Sequence, residues 1–114
     1  MITDKNKSFL GRYGSSDHLN TLLKHPSFLI RISCTRNPNL QSHHIDHLLN
    51  DDEISVKRAT ATNSKNLLQP HHIDKIFNSG DRYTISEIAD KKDLHPRHID
   101  RLIDYDDFTA YKIA

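Results

Sequence analysis

The chain is poor in most of the residues that announce a chemistry. Its 114 residues include no tryptophan, one cysteine, one methionine, three glycines and four prolines. A single thiol, Cys34, excludes an internal disulfide framework and a zinc site built mainly from thiolates, and suits a reducing compartment. The glycines form no phosphate-cradling loop, and the chain has no Gly-x-Ser-x-Gly elbow or nucleotide motif. Nothing in it calls for a cofactor. No apolar run approaches the ~18 residues of a membrane span, and the opening Met-Ile-Thr-Asp-Lys-Asn-Lys lacks the apolar stretch of a signal peptide. The expectation is a soluble, cytoplasmic protein with no membrane partner. Excess charge is missing too. Sixteen Lys and Arg against fifteen Asp and Glu leave a net charge of +1, so binding to nucleic acid would rest on local patches rather than a global field.

What the chain does have is histidine. Nine are present, enough to raise the formal charge to +10 if all were protonated, below their usual pKa of about 6.5. Leu, Ile, Val and Phe make up 29 of the 114 residues. That is above the ~20% below which highly charged chains stay disordered, and it supports one small domain with a thin core.

The histidines are not scattered. His43-His44-Ile45-Asp46 recurs as His71-His72-Ile73-Asp74 and as Arg97-His98-Ile99-Asp100, at spacings of 28 and 26 residues. Twenty-six residues before the first stands a degenerate version, Asp17-His18-Leu19-Asn20. Four copies therefore divide the chain at approximately 16–40, 41–68, 69–94 and 95–114, after a flexible leader or N-terminal cap over residues 1–15. Phe9 and Leu10 would cover the end of the array. Within a copy the apolar residues follow helical spacing: Ile45, Leu48 and Leu49, then an acidic break at Asp51-Asp52, then Ile54, Val56 and Ala59. Ser16, Ser42, Pro70 and Pro96 stand at the start of each first helix, where a capping hydroxyl or a first-turn proline is favoured. The connectors end in Leu40, Leu68 and Leu94, placed to tuck back into the core. In the third copy Asn78-Ser79-Gly80 predicts a looser turn, and Tyr83 and Ile85 replace Ile54 and Val56.

Helices this short are unstable alone and must bury their stripes on one another. The period and the pattern predict an all-α fold, a short α-solenoid of about four two-helix repeats. The stretch from Asn37 to Ala61, with Asn-Pro-Asn-Leu, an apolar-x-x-Leu-Leu segment, Asp-Asp and Val-Lys-Arg-Ala, resembles the leucine-rich repeat variant family and the wider HEAT-like repeats. The likeness runs over residues 16–114, and only the second copy is close to the pattern. It implies a right-handed superhelix that serves as a binding scaffold, and no particular ligand.

The candidate functional residues follow from the copies. His18, His44, His72 and His98 are equivalent, each in a half-buried slot at a helix start bonding to a neighbouring connector, or else forming a pH-sensitive ladder along one edge. His43 and His47, four apart with Asp46 nearby, have metal-ligand spacing, but no other copy repeats His47, and no metal site is expected. Cys34 corresponds to the small residues Thr60 and Ala89, which points to a structural rather than a catalytic role. Asp51-Asp52 and Asp106-Asp107 fall where a carboxylate caps the next helix. Arg31, Lys57, Arg58 and Lys112 on second helices, with Arg36 and Lys65 in the connectors, form a basic stripe. Tyr83 either joins them as a contact anchor or fills core. These residues mark a surface for a protein partner, used by a non-catalytic adaptor or inhibitor. The alternative is nucleic acid on the same stripe, as in the HEAT-like DNA glycosylases that cradle a duplex on a basic concave face.

Overall fold

A computed structural model describes residues 3–79 and 81–104. Among these the chain is all helical, with no strand: α1 (Asp4–Tyr13), α2 (Ser16–Leu22), α3 (Phe28–Cys34), α4 (Ser42–Leu49), α5 (Ile54–Asn63), α6 (Pro70–Ser79), α7 (Arg82–Ile88) and α8 (Pro96–Ile103), with one 3-10 turn at Lys65–Leu67. Gly80 and the part of the fourth copy beyond Asp104, including Asp106, Asp107 and Lys112, lie outside the described residues.

Ser16, Ser42, Pro70 and Pro96 are each the first helical residue. Proline is at home there because its missing N–H would have no helical partner. The two serines therefore sit one residue inside the helix, and the cap falls to other groups described below. Each opening turn leads into the expected apolar stripe. Leu19, Leu22 and Leu23 are buried, as are Ile45, Leu48 and Leu49, and Ile73, Ile76 and Phe77. In α8 Leu102 is buried but Ile103 is 58% exposed. Leu40 and Leu68 are buried and Leu94 packs against the core, so the connectors close as expected.

The second helices bury smaller groups. Val56 and Ile85 occupy matching core positions, and Cys34, Thr60 and Ala89 are buried where neighbouring helices approach. Two rows result. The helices α1, α3, α5 and α7 follow one another in contact, while α4 lies on α6, and α2, α4 and α6 each lie on the helix that follows them. The molecule measures 50 × 20 × 19 Å with a radius of gyration of 14.7 Å, somewhat above the ~13 Å of a compact chain of this length.

Residues 1–15, where the sequence suggests a leader or cap, hold α1. Thr3 opens it by accepting the Asn6 amide at 3.2 Å. The helix packs on α2 and α3, and Gly11 sets how closely. A Cβ at that position would stand 3.2 Å from both Cys34 Sγ and Ser33 Cβ. Asn37, buried at the end of α3, donates to the carbonyls of Gly11 and Gly14, both at 2.9 Å, and so ties the end of α1 down.

Gly11→Leu is expected to push α1 off α3 and destabilise the chain by about 1–3 kcal/mol, the usual cost of overpacking. At this length each kcal/mol lowers Tm by about 4–8 °C. Thermal unfolding followed by circular dichroism checks it, and an unchanged Tm would contradict close packing of α1 on α3.

Candidate functional site

Three of the four equivalent histidines are fully buried, each at the third position of its helix: His44 and His72 show 0% exposure and His98 1%. A buried imidazole must satisfy two nitrogens, and the structure shows how. In His44 and His72 the Nδ1 atom accepts the backbone N–H of the residue just before the helix, Gln41 at 2.9 Å and Gln69 at 2.8 Å. His18 does the same with Ser15 at 3.1 Å, though it is exposed. The ring thus takes the part that Glu or Gln plays in a capping box. With the Nδ1 lone pair committed, the neutral ring must carry its proton on Nε2.

That Nε2–H reaches backward along the chain. His44 donates to Asn20 Oδ1 at 2.9 Å, and His98 to Asp74 Oδ1 at 2.7 Å. His72 donates to the Ser42 carbonyl at 3.2 Å, with Asp46 Oδ1 at 3.4 Å. Asn20, Asp46 and Asp74 are the same position of successive His-x-Asp strings. The partner is therefore the preceding first helix, not a connector as the sequence suggests. The connectors are already closed by their own leucines, and the first helices lie side by side. Further cations converge on the acceptors. Asp46 Oδ1 faces His71 Nε2 and Lys75 Nζ, both at 3.3 Å, and Asp74 receives Arg97 at 3.1 Å.

Charge follows the geometry. Burial lowers the His44 pKa, helped by neighbouring His43. Burial also lowers that of His72, with the Ser42 carbonyl opposing. Burial would raise the Asp46 carboxyl, but Lys75 and the two histidines hold it below its ordinary value. The Asp74 carboxyl is held low by its bonds from His98 and Arg97.

Asp46, His71 and His72 bring three ligand atoms within 4.8 Å of one another, a spacing a metal ion could use. A metal on His72 Nε2, however, would require the proton on Nδ1, opposite the Gln69 amide, and would break the cap. Lys75 Nζ also stands 3.3 Å from Asp46 Oδ1, where its charge would oppose a cation. The trio is built as a link between helices.

The basic stripe is largely committed elsewhere. Arg31 makes a two-pronged pair with Asp51, at 2.8 and 3.1 Å, and also donates to the carbonyls of His25 and Pro26. Arg58 pairs in the same way with Asp81, both bonds 3.1 Å, and lies over the Tyr83 ring at 4.7 Å. Asp81 also caps α7 by accepting the Thr84 amide. The Arg58 guanidinium holds the Asp81 carboxyl at about 2. Lys65 pairs with Asp90 at 2.8 Å. Of the predicted cations, Arg36 and Lys57 make no hydrogen bond or ion pair among the described residues. Tyr83 is 67% exposed and does not fill core, because Ile85 takes the position equivalent to Val56. Asp51 accepts the Glu53 amide, as its capping role requires. Cys34 is buried, its thiol donating to the Ile30 carbonyl, and burial pushes its pKa up to about 11. A thiol so rarely ionised is a poor nucleophile.

The chemistry that sequence reasoning missed is Arg12. It sits on α1 beside Tyr13, 5.2 Å from the ring, with no ion pair among the described residues. Arg12 and Arg36 line one groove of about 370 Å³ between α1 and α3, together with Ser8, Phe9, Tyr13, Ile32 and Ser33. Residues 8–13 belong to no copy of the repeat, so periodicity did not point to them.

The lowered His44 and His72 pKa values fix the sign of a pH response. Below the unfolded value of about 6.5 the unfolded chain binds more protons than the folded one, so these two residues contribute stability that is complete above that pH and is lost as pH falls. Tm is expected to drop by several degrees between pH 7.5 and pH 5.5. The double variant His44→Gln/His72→Gln keeps an amide that can cap but does not titrate, and its Tm is expected to change less over that range. Thermal unfolding of both proteins at both pH values decides, and a wild-type Tm that held or rose on acidification would contradict this account.

No family model, no curated protein and no solved structure matches the chain.

Proposed function

We propose that the chain is a short right-handed α-solenoid of about four two-helix repeats, akin to the leucine-rich repeat variant and HEAT-like families, and that it works as a non-catalytic, cytoplasmic protein-binding module. The single observation that carries the binding role is an asymmetry of the surface. Eight large apolar side chains are exposed among the described residues, and six of them, Phe9, Tyr13, Phe28, Leu29, Ile54 and Tyr83, stand on the row α1, α3, α5 and α7. The helices α2, α4 and α6 expose none. Apolar and aromatic side chains concentrated on one side of a small molecule are the composition of a protein interface. The elongated shape and the contact order of the helices support the solenoid reading. The first helices, tied to one another by their buried histidines, hold the row α1, α3, α5 and α7 as a largely preformed surface, so an adaptor or an inhibitor would bind through shape and charge rather than by folding onto its partner.

The pairing of Arg31, Arg58 and Lys65 with carboxylates weighs against nucleic acid as the partner, since a cation already neutralised within the fold releases few counterions from a phosphate backbone. A photo-crosslinking amino acid placed at Leu29 or Tyr83 is expected to capture a discrete protein in the cells of origin, while the same group at Thr21 or His47, exposed on the other row, is not. Duplex DNA and RNA titrated at 50 and 200 mM salt are expected not to bind. Steep salt-dependent binding, with no crosslink to protein from either position, would replace this reading with the nucleic-acid one.

A further inference from the structure

The groove between α1 and α3 differs from the rest of the row in its charge. Elsewhere along it, Arg31, Arg58 and Lys65 face internal carboxylates and Lys57 stands as a single cation with no ion pair among the described residues. At the α1 end, Arg12 and Arg36 have no carboxylate within ion-pair distance among the described residues, yet they border the same groove. Its walls are apolar between them. Phe9 and Tyr13 lie in a tilted ring contact with centroids 5.0 Å apart, and Ile32 packs against the core from the α3 side. Phe9 is 62% exposed and Tyr13 57%. Leu29, also 62% exposed, precedes Ser33 by one turn of α3, so it extends the face that Ser33 presents to the groove. The floor is rigid: Gly11 lies against Cys34, and the Asn37 amide holds the end of α1.

We propose that this groove is the recognition site for an acidic segment of the partner protein, one in which Asp or Glu flanks an aromatic or large aliphatic side chain. The proposal rests on the protein-binding reading and gives it a place and a partner chemistry. The apolar anchor lies against Phe9, Tyr13 and Ile32, while the flanking carboxylates meet Arg12 and Arg36, whose planar guanidinium groups donate to them in two-pronged geometry. A magnitude separates this occupant from a nucleic acid. Two guanidinium groups neutralise about two phosphates, which gives a salt slope of only about −1.8, too little electrostatic drive for binding at physiological salt without further cations. An acidic peptide needs only one or two charge contacts, because its anchor also buries apolar surface.

The test is a selection of random dodecapeptides displayed on phage, on the immobilised full chain, followed by NMR mapping with the enriched peptide made synthetically. Enrichment of Asp and Glu around an aromatic or Leu residue is expected, with amide shifts concentrated on Ser8 to Tyr13 and Ile32 to Arg36. Arg12→Glu/Arg36→Glu changes two surface side chains and is expected to keep its Tm, to lose at least tenfold in affinity for that peptide, and to enrich basic peptides instead. Lys57→Glu, outside the groove, is expected to bind as the wild type does. Enrichment without acidic residues, or no enrichment, overturns the proposal. Shifts centred on Tyr83 and α7 also overturn it, and would leave the protein-binding reading standing.

Discussion

An imidazole with both nitrogens committed is the joint on which the arrangement of helices depends. In His44 and His72, Nδ1 closes the start of the residue's own helix and Nε2–H reaches the helix before it. His98 makes the backward bond to Asp74 while His95 caps α8 by accepting the Arg97 amide. The two bonds are coupled through one ring, since the proton on Nε2 is a consequence of the amide at Nδ1. A hydrogen bond contributes a net ~1 kcal/mol, but leaving a buried donor without its partner costs about 1–3 kcal/mol. For a domain whose whole stability is of order 5–15 kcal/mol, two such joints and the His98–Asp74 bond are a substantial fraction. They also supply what a thin apolar core does not. Leucine and isoleucine stripes tolerate a slip of one helix against the next, whereas a ring pinned at both nitrogens does not.

The charged residues follow the same logic over a similar distance along the chain. Arg31 pairs with Asp51, Arg58 with Asp81 and Lys65 with Asp90, each joining a second helix or its connector to an acidic turn 20 to 25 residues further on. Exposed pairs of this kind contribute little, typically under ~1 kcal/mol. Arg31 is the exception in its surroundings, with side-chain exposures of 15% for itself and 6% for Asp51 and two carbonyls completing its bonds. Part of the near-zero net charge is therefore balanced inside the fold. Arg12 and Arg36 are outside that pairing and border one groove where α1 meets α3.

Much of this was legible in the sequence because it repeats. The His-Ile-Asp strings mark where first helices begin, the spacing of Ile45, Leu48 and Leu49 names their buried face, and the connector leucines go where the pattern sends them. The direction of the histidine bond was not legible, because equivalence between copies says which residues share an environment and not what that environment contains. The Asp two residues after each His carried the missing signal, since an acceptor at a fixed offset in one string is at hand for the donor in the next. Helix α1 was hidden for a different reason. It carries no copy of the string, and it holds its place through Gly11, whose lack of a side chain lets α3 approach, and through a distant asparagine. Tyr83 was ambiguous because it stands where the second copy has Ile54, an apolar residue whose burial the pattern does not decide; Ile54 and Tyr83 are both exposed, while Val56 and Ile85 are buried.

The two rows divide the chemistry between them. Along α2, α4, α6 and α8 the polar groups face one another: histidine, aspartate and cation are spent on joining neighbours, and the apolar stripe beneath is covered in every helix but the last. Along α1, α3, α5 and α7 the helices are held by small buried residues, Gly11, Cys34, Thr60 and Ala89, which allow close approach without using the outward side chains. Those outward positions are thereby free to carry Phe9, Tyr13, Leu29 and Tyr83 without cost to the fold. Six of the eight large apolar side chains exposed among the described residues stand on that row, while Phe77 and the aliphatic stripes of α2, α4 and α6 are spent on the core, so the asymmetry of the surface follows from the way each row is joined.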